Sequence, residues 1–203
     1  MIRVEPAAEP DNFDATVRQP GLKYLAENPG KEPRAYWKAC KGDLFHAYHG
    51  YCAYTTFRIN SRNDAVVDHF LPKSRHPDQC YEWSNYRLSS FHINSVKNNA
   101  ENISDPFTLP DNAFRLTAGM KVEVNAEAFR TEEERRLAQH TIYRLKLNSS
   151  ELVADRRYML DAAMELLKNG REKASVVAQV LRRQSRFIYN EAVRMGCMPQ
   201  VLE

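Results

Sequence analysis

Long apolar runs are missing from this sequence: none approaches the roughly 18 residues that a membrane span requires, so no membrane-spanning segment is expected. The opening MIRVEPAAEPDN has neither a basic leader nor an apolar signal core, which points to a cytoplasmic protein. Cysteine is scarce and scattered. Cys40, Cys52, Cys80 and Cys197 have no close pairing, so reduced thiols are expected rather than a disulfide framework. Internal repeats and low-complexity segments are absent. A large excess of one charge is absent too: the formal net charge of +3 and pI of about 8.6 permit an anionic partner without demanding one. Basic residues concentrate between Arg171 and Arg186, where Arg182, Arg183 and Arg186 read either as a solvated helix face or as a phosphate-binding one.

What is present is enough to fold. A chain of 203 residues with 43% apolar content buries a sizeable core and fits one domain, or one domain with an appendage. Residues 1–34 hold Pro6, Pro10, Pro20 and Pro29 and read as an arm with at most a short helix around Leu22 to Glu27. Over 35–110 the pattern gives a helix from Arg34 to His49, then YCAYTTFRI and AVVDHF as a hairpin joined by NSRND. The hairpin ends at Asp68-His69. A long loop with Pro72 and Pro77 follows, and then a helix from about Asn85 to Asn99. Residues 111–203 begin with an extended stretch that adds a strand or two. They continue with a helix opened by the capping box Thr131…Glu134, a helix from about Ser149 to Lys168, and a last one from about Glu172 to Met195. The last helix carries a stripe through Val177, Leu181, Gln184 and Ile188, opposite Arg182, Arg183 and Arg186, which serves either as internal core or as a docking face. The fold class is α+β, and the C-terminal region can share one core with what precedes it.

The chemistry gathers in VDHFLPKSRHPDQCYEWSNYRLSSFHINSVK, residues 67–97. A neutral imidazole takes a proton from an attacking water near pH 7, which suits His69. A carboxylate and an amide oxygen are hard ligands for Mg²⁺ or Mn²⁺, which suits Asp68 and Asn94. An imidazole acting as base needs a partner that fixes its orientation, and Asn85 can supply it or can act as a helix N-cap. Lys97 lies one turn beyond Asn94 and is positioned to clamp a phosphate, with Asn98 beside it. Lys73 and Arg75 either touch backbone phosphates or are solvated loop charges. His92 projects from another helix face, as a substrate contact, an ordinary polar residue or an alternative metal ligand. His46, His49, Cys52 and Cys80 read as packing residues more readily than as a metal cluster.

This order of hairpin, loop and helix resembles the ββα-metal motif of the HNH endonuclease superfamily. His69 matches its first histidine, Asn85 its central asparagine, Asn94 its last position, and Asp68 the acidic residue that precedes the first histidine. The phrases CAYT, VDHFLPKS, YEWSNYRL and NSVK are similar to CAYC, DHF.PK, W.NL and CN..K of one bacterial HNH group, and RLKLNSSELVADRR is similar to its downstream L.LN...L...R. The resemblance implies one divalent metal on Asp68 and Asn94, a water activated by His69, and cleavage of DNA or of an RNA such as tRNA. It also implies an ATPase partner in anti-phage defence of the Septu or retron-associated kind. The alternative is a degenerate HNH fold that binds nucleic acid or docks an ATPase without cutting. One departure stands out. Where many members hold a structural zinc with two CxxC pairs, this chain has Cys52, Thr55, Ser90 and Ile93, so no structural zinc is expected. Aromatic packing by Tyr54, Phe57, Tyr81 and Trp83 is expected to replace it.

Overall fold

A computed structural model describes residues 1–170 and 172–201; Arg171 lies outside the described residues. It is a mixed helix and strand fold of the α+β class, with two small antiparallel sheets.

The central pair is β1 (Ala65–His69) against β2 (Tyr86–Ser90), in a register that sets Asp68 opposite Arg87 and His69 opposite Tyr86. The first four residues of β2 are buried, so both of its faces are covered and its strand pattern does not alternate. The helix α3 (Phe91–Lys97) follows directly and packs on both strands. Ser90 caps its N-terminus, accepting from the Ile93 N–H at 3.4 Å. At the other end Arg144 donates to the carbonyls of Val96 and Lys97, at 2.7 and 3.0 Å.

Two expectations are corrected here. The strand partner of AVVDH is YRLSS rather than YCAYTTFRI, and the helix expected from Asn85 starts at Phe91. The 51–59 stretch folds into a tight turn with only isolated bridges, Tyr51 to Arg58 and Phe57 to Ser185. Thr56 sits at φ 62° within that turn, a conformation that breaks strand pairing and strains a β-branched residue. It is held there by its N–H to the Cys52 carbonyl at 2.8 Å and by its hydroxyl, 2.9 Å from that of Ser185.

The N-terminal segment is more ordered than an arm. A wide π turn (Asp14–Arg18) leads into α1 (Gln19–Glu27), with Pro20 in the first turn, where its missing N–H costs nothing. Phe13 is fully buried between Trp83 and Tyr86, with ring centroids at 5.6 and 5.8 Å. The helix expected over 34–49 is a short 3₁₀ turn at Tyr36–Lys38 followed by α2 (Lys41–Ala47).

The C-terminal half places β3 (Phe114–Leu116) and β4 (Val122–Val124) as a hairpin beside α4 (Glu132–Arg144), which opens with the expected capping box at Thr131. The long α5 (Ser150–Lys168) ends before Gly170, which takes the left-handed φ of 60°. The last helix is broken in two, α6 (Ala174–Gln184) and α7 (Arg186–Arg194). Ser185 makes the break: it adopts extended φ and ψ of −158° and 115°, bridges to Phe57, and caps α7 by accepting from Ile188 N–H at 3.3 Å. Val177, Leu181 and Ile188 of the stripe are buried in the core, while Gln184 is exposed.

One continuous cluster of buried apolar side chains runs from Phe13 through Leu88 and Leu116 to Ala192. The phrase L.LN...L...R serves this core. Leu145, Leu147 and Leu152 are buried in it. Asn148 pairs with the backbone of Val122 at 2.7 and 2.8 Å, and buried Arg156 donates to the carbonyls of Met120 and Leu147. Among the described residues no helix is long and apolar enough to cross a membrane.

Candidate functional site

β1 delivers Asp68 and His69 at its end, on opposite sides of the strand because successive residues alternate. The loop from Phe70 to Asn85 then returns over them, and Asn85 holds it. The Asn85 carboxamide accepts from Leu71 N–H at 2.8 Å and donates to the carbonyls of Leu71 and Gln79, both at 3.0 Å. Both its N–H donors go to the loop, and among the described residues it makes no bond to His69. The expected orienting role is therefore indirect: Asn85 shapes the loop whose backbone holds the imidazole.

That hold is through Cys80. His69 Nε2 donates to the Cys80 carbonyl at 2.9 Å, and Tyr86 donates its hydroxyl to the same carbonyl at 2.8 Å. A carbonyl only accepts, so Nε2 carries the proton and Nδ1 of the neutral ring is the basic nitrogen. Trp37 and Tyr86 meet the ring edge-on at 4.7 and 5.1 Å. Burial among them, helped by the nearby charges of Lys73 and Lys97, lowers the His69 pKa from 6.5 to about 4. The imidazole is thus neutral at pH 7, though a weaker base than its ordinary value implies.

Asp68 is 3% exposed, with both oxygens engaged. Tyr54 donates its hydroxyl to Oδ2 at 2.5 Å, and Lys97 Nζ donates to Oδ1 at 3.1 Å. Burial pushes the Asp68 carboxyl above its ordinary range, against the pull of Lys97 and Tyr54. Lys97 itself is 0% exposed and spends a second donor on the His69 carbonyl at 2.7 Å. This corrects the expected phosphate clamp: i to i+3 spacing does bring Lys97 to the side of Asn94, but its ammonium faces inward to a carboxylate.

Asn94 is half-buried and shares with Asp68 and His69 a cleft of about 470 Å³, whose walls also include Glu32, Trp37 and Lys73. Lys73 is half-buried, with Nζ 5.9 Å from the Trp37 ring centroid. Asn98 leaves α3 at φ 48° and lines both this cleft and an adjoining one of about 380 Å³. Arg75 lines the adjoining cleft and lies 3.5 Å from Glu101. His92 is exposed and faces a different pocket, with Glu151 and Asp155. Arg182 and Arg186 lie over the rings of Tyr189 and Tyr51, at 5.9 and 5.5 Å.

The oxygen donors suit a hard divalent ion. A carboxylate has about four lone-pair positions, of which Tyr54 and Lys97 occupy two. The Asn94 carboxamide makes no hydrogen bond among the described residues. Asp68 and Asn94 would hold the ion, with water completing its shell. No group of three or more His, Cys, Asp and Glu side chains is placed to hold a metal among the described residues.

The four positions that matched zinc ligands come together. Cys52, Thr55, Ser90 and Ile93 all line one pocket of about 390 Å³, although only one of them is a thiol. Of the four aromatic residues expected in its place, Tyr54, Tyr81 and Trp83 are buried and Phe57 is half-buried.

Several contributors escaped the sequence reading. Tyr54, expected as a packing residue, donates its hydroxyl to Asp68. Trp37 and Glu32 reach the cleft from the N-terminal part of the chain, where nothing local marks them. The Cys80 contribution is a backbone carbonyl, which has no residue signature. Arg87, opposite Asp68, forms a two-pronged pair with Asp105 at 2.9 and 2.7 Å and ties β2 to the segment after α3. No protein-family model matches the chain, and no curated protein matches it.

Proposed function

We propose that the chain is a metal-dependent endonuclease of the HNH kind, which hydrolyses nucleic-acid phosphodiester bonds. The observation that carries this reading is the single cleft lined by Asp68, His69 and Asn94, with His69 Nε2 held 2.9 Å from the Cys80 carbonyl. With Nε2 donating to Cys80, the ring offers Nδ1 as an acceptor, and the hard donors Asp68 and Asn94 line the same cleft as His69. The order strand, loop, strand, helix and the gathering of the four zinc-equivalent positions support the same register of resemblance.

In this mechanism His69 takes a proton from water at Nδ1, while Cys80, Tyr86 and Trp37 keep the ring from turning. Asn85 keeps Cys80 in place by clamping Leu71 and Gln79. Asp68 and Asn94 would hold Mg²⁺ or Mn²⁺, which supplies charge for the phosphate and its leaving oxygen. Lys73 and Asn98 stand on the cleft wall to meet phosphates that flank the scissile one. A defence role beside an ATPase belongs to the same proposal and rests on the phrase order alone.

The test is metal-dependent cleavage of plasmid, single-stranded DNA and total tRNA by wild type and His69→Ala, each with and without a candidate ATPase. Loss of cutting by orders of magnitude in a folded variant is expected; wild-type cutting by His69→Ala sinks the reading. A second reading, a fold that grips nucleic acid without cutting, is favoured by the engagement of both Asp68 oxygens. Steeply salt-dependent binding with no turnover under any metal would select it.

A further inference from the structure

Resting on that nuclease reading, we propose that the cleft takes its divalent ion and a nucleic-acid phosphate together, because Lys97 already neutralises the carboxylate that would hold the ion.

The charges in and under the cleft are few. Asp68 and Glu32 are negative, Lys97 and Lys73 positive, and Asn94, Asn98 and the imidazole neutral. Their formal charges cancel. Arg87, the other cation near Asp68, is spent on Asp105. The two carboxylates differ in reach. Glu32 is exposed, and water screens it. Asp68 is buried, and its nearest cation sits 3.1 Å away with no exposure of its own.

Lys97 cannot easily leave. Its ammonium bonds Asp68 and the His69 carbonyl, and it lies 6.0 Å from the Phe70 ring centroid. It is anchored on the helix turn that carries Asn94, so an ion on Asp68 and Asn94 must bind beside a fixed positive charge. A site built from two oxygens, with its one buried carboxylate neutralised, offers a divalent ion little net attraction. A phosphodiester brings the missing negative charge and further oxygen ligands. The ion and the phosphate then raise each other's affinity by one shared factor, as linkage requires. Lys97 is a positioning residue that ties metal loading to substrate.

The experiment measures Mn²⁺ binding to the full chain by calorimetry and by the electron paramagnetic resonance signal of free Mn²⁺. A His69→Ala background, or His69→Gln if the first does not fold, prevents cutting. Probes are a short DNA duplex and a short RNA strand, each compared with no oligonucleotide. We expect binding to be weak alone and about tenfold or more tighter with the oligonucleotide that fits. Lys97→Met, or Lys97→Gln if the first unfolds, should tighten Mn²⁺ binding without oligonucleotide by about tenfold or more, and Asp68→Asn should abolish it. Asp68-dependent binding that neither oligonucleotide nor Lys97 substitution changes overturns the inference and leaves the nuclease reading standing. If both Lys97 variants unfold, the oligonucleotide comparison on the parent decides alone. Absence of Asp68-dependent binding under every condition overturns the nuclease reading itself.

Discussion

Lys97 Nζ lies 3.1 Å from Asp68 Oδ1 and 2.7 Å from the carbonyl of His69, so a single ammonium ties together two successive residues of the site. This contact fixes α3 against the end of β1. It also makes the pair costly to break from one side.

Lys97→Met should therefore destabilise the metal-free protein by about 3 kcal/mol or more, because it leaves Asp68 buried without its partner. Adding Asp68→Leu to that variant should restore much of the loss, since the double replacement removes both desolvated charges. Urea unfolding of the two single variants and the double variant measures the coupling. Strict additivity of the two losses would show that the contact is not energetically real.

Asn85→Ala should cost about 2–3 kcal/mol, because one buried donor and two carbonyls of the loop lose their partner. If the nuclease proposal holds, its effect on cleavage should be an indirect one. The Cys80 carbonyl loses its fixed place, so kcat should fall with KM little changed, and the pH profile should move toward that of a freer imidazole. Asn85→Asp keeps only the acceptor for Leu71 and should restore little.

His69 gives the protein a defined response to acid in metal-free buffer. Its folded pKa of about 4 lies below the ordinary 6.5. Above pH 6.5 both folded and unfolded chains hold the ring neutral, and stability is unaffected. Between 6.5 and 4 the unfolded chain binds a proton that the folded chain refuses, so stability falls with pH. The loss approaches about 3 kcal/mol below pH 4. His69→Gln should flatten this slope, seen as a smaller change in unfolding midpoint between pH 7 and pH 4.5. A slope equal to that of wild type would contradict the buried neutral state.

The grouping of three candidate residues was legible, because they stand in one short stretch: Asp68, His69 and Asn94 line one cleft. The secondary structure around them was less so. YRLSS has no alternating pattern, since the first four of its five residues are buried and it becomes a strand through pairing with β1 across the whole loop. YCAYTTFRI has strong strand composition, yet the left-handed Thr56 and its contact with Ser185 fold it into a turn. Lys97 shows the limit of helical spacing as a guide. The i to i+3 rule gave the correct side of α3, but that side faces the core at Lys97 and the cleft at Asn94.

Ser185 carries the last test, because one buried hydroxyl both ends α6 and starts α7. Its Oγ accepts from Ile188 N–H at 3.3 Å and lies 2.9 Å from Thr56 Oγ1, joining the C-terminal helices to the turn at Cys52 to Phe57. Ser185→Ala removes a cap worth about 1 kcal/mol and strands the Thr56 hydroxyl, so a total loss of about 2–3 kcal/mol is expected. Ser185→Thr keeps the oxygen but adds a methyl where the residue is 0% exposed, and should fall between the two. A thermal shift of wild-type size for Ser185→Ala would mean that backbone pairing with Phe57, and not the side chain, sets the break. Because the turn precedes β1 and Tyr54 within it bonds Asp68, the loss should also appear as a weaker hold on that carboxylate.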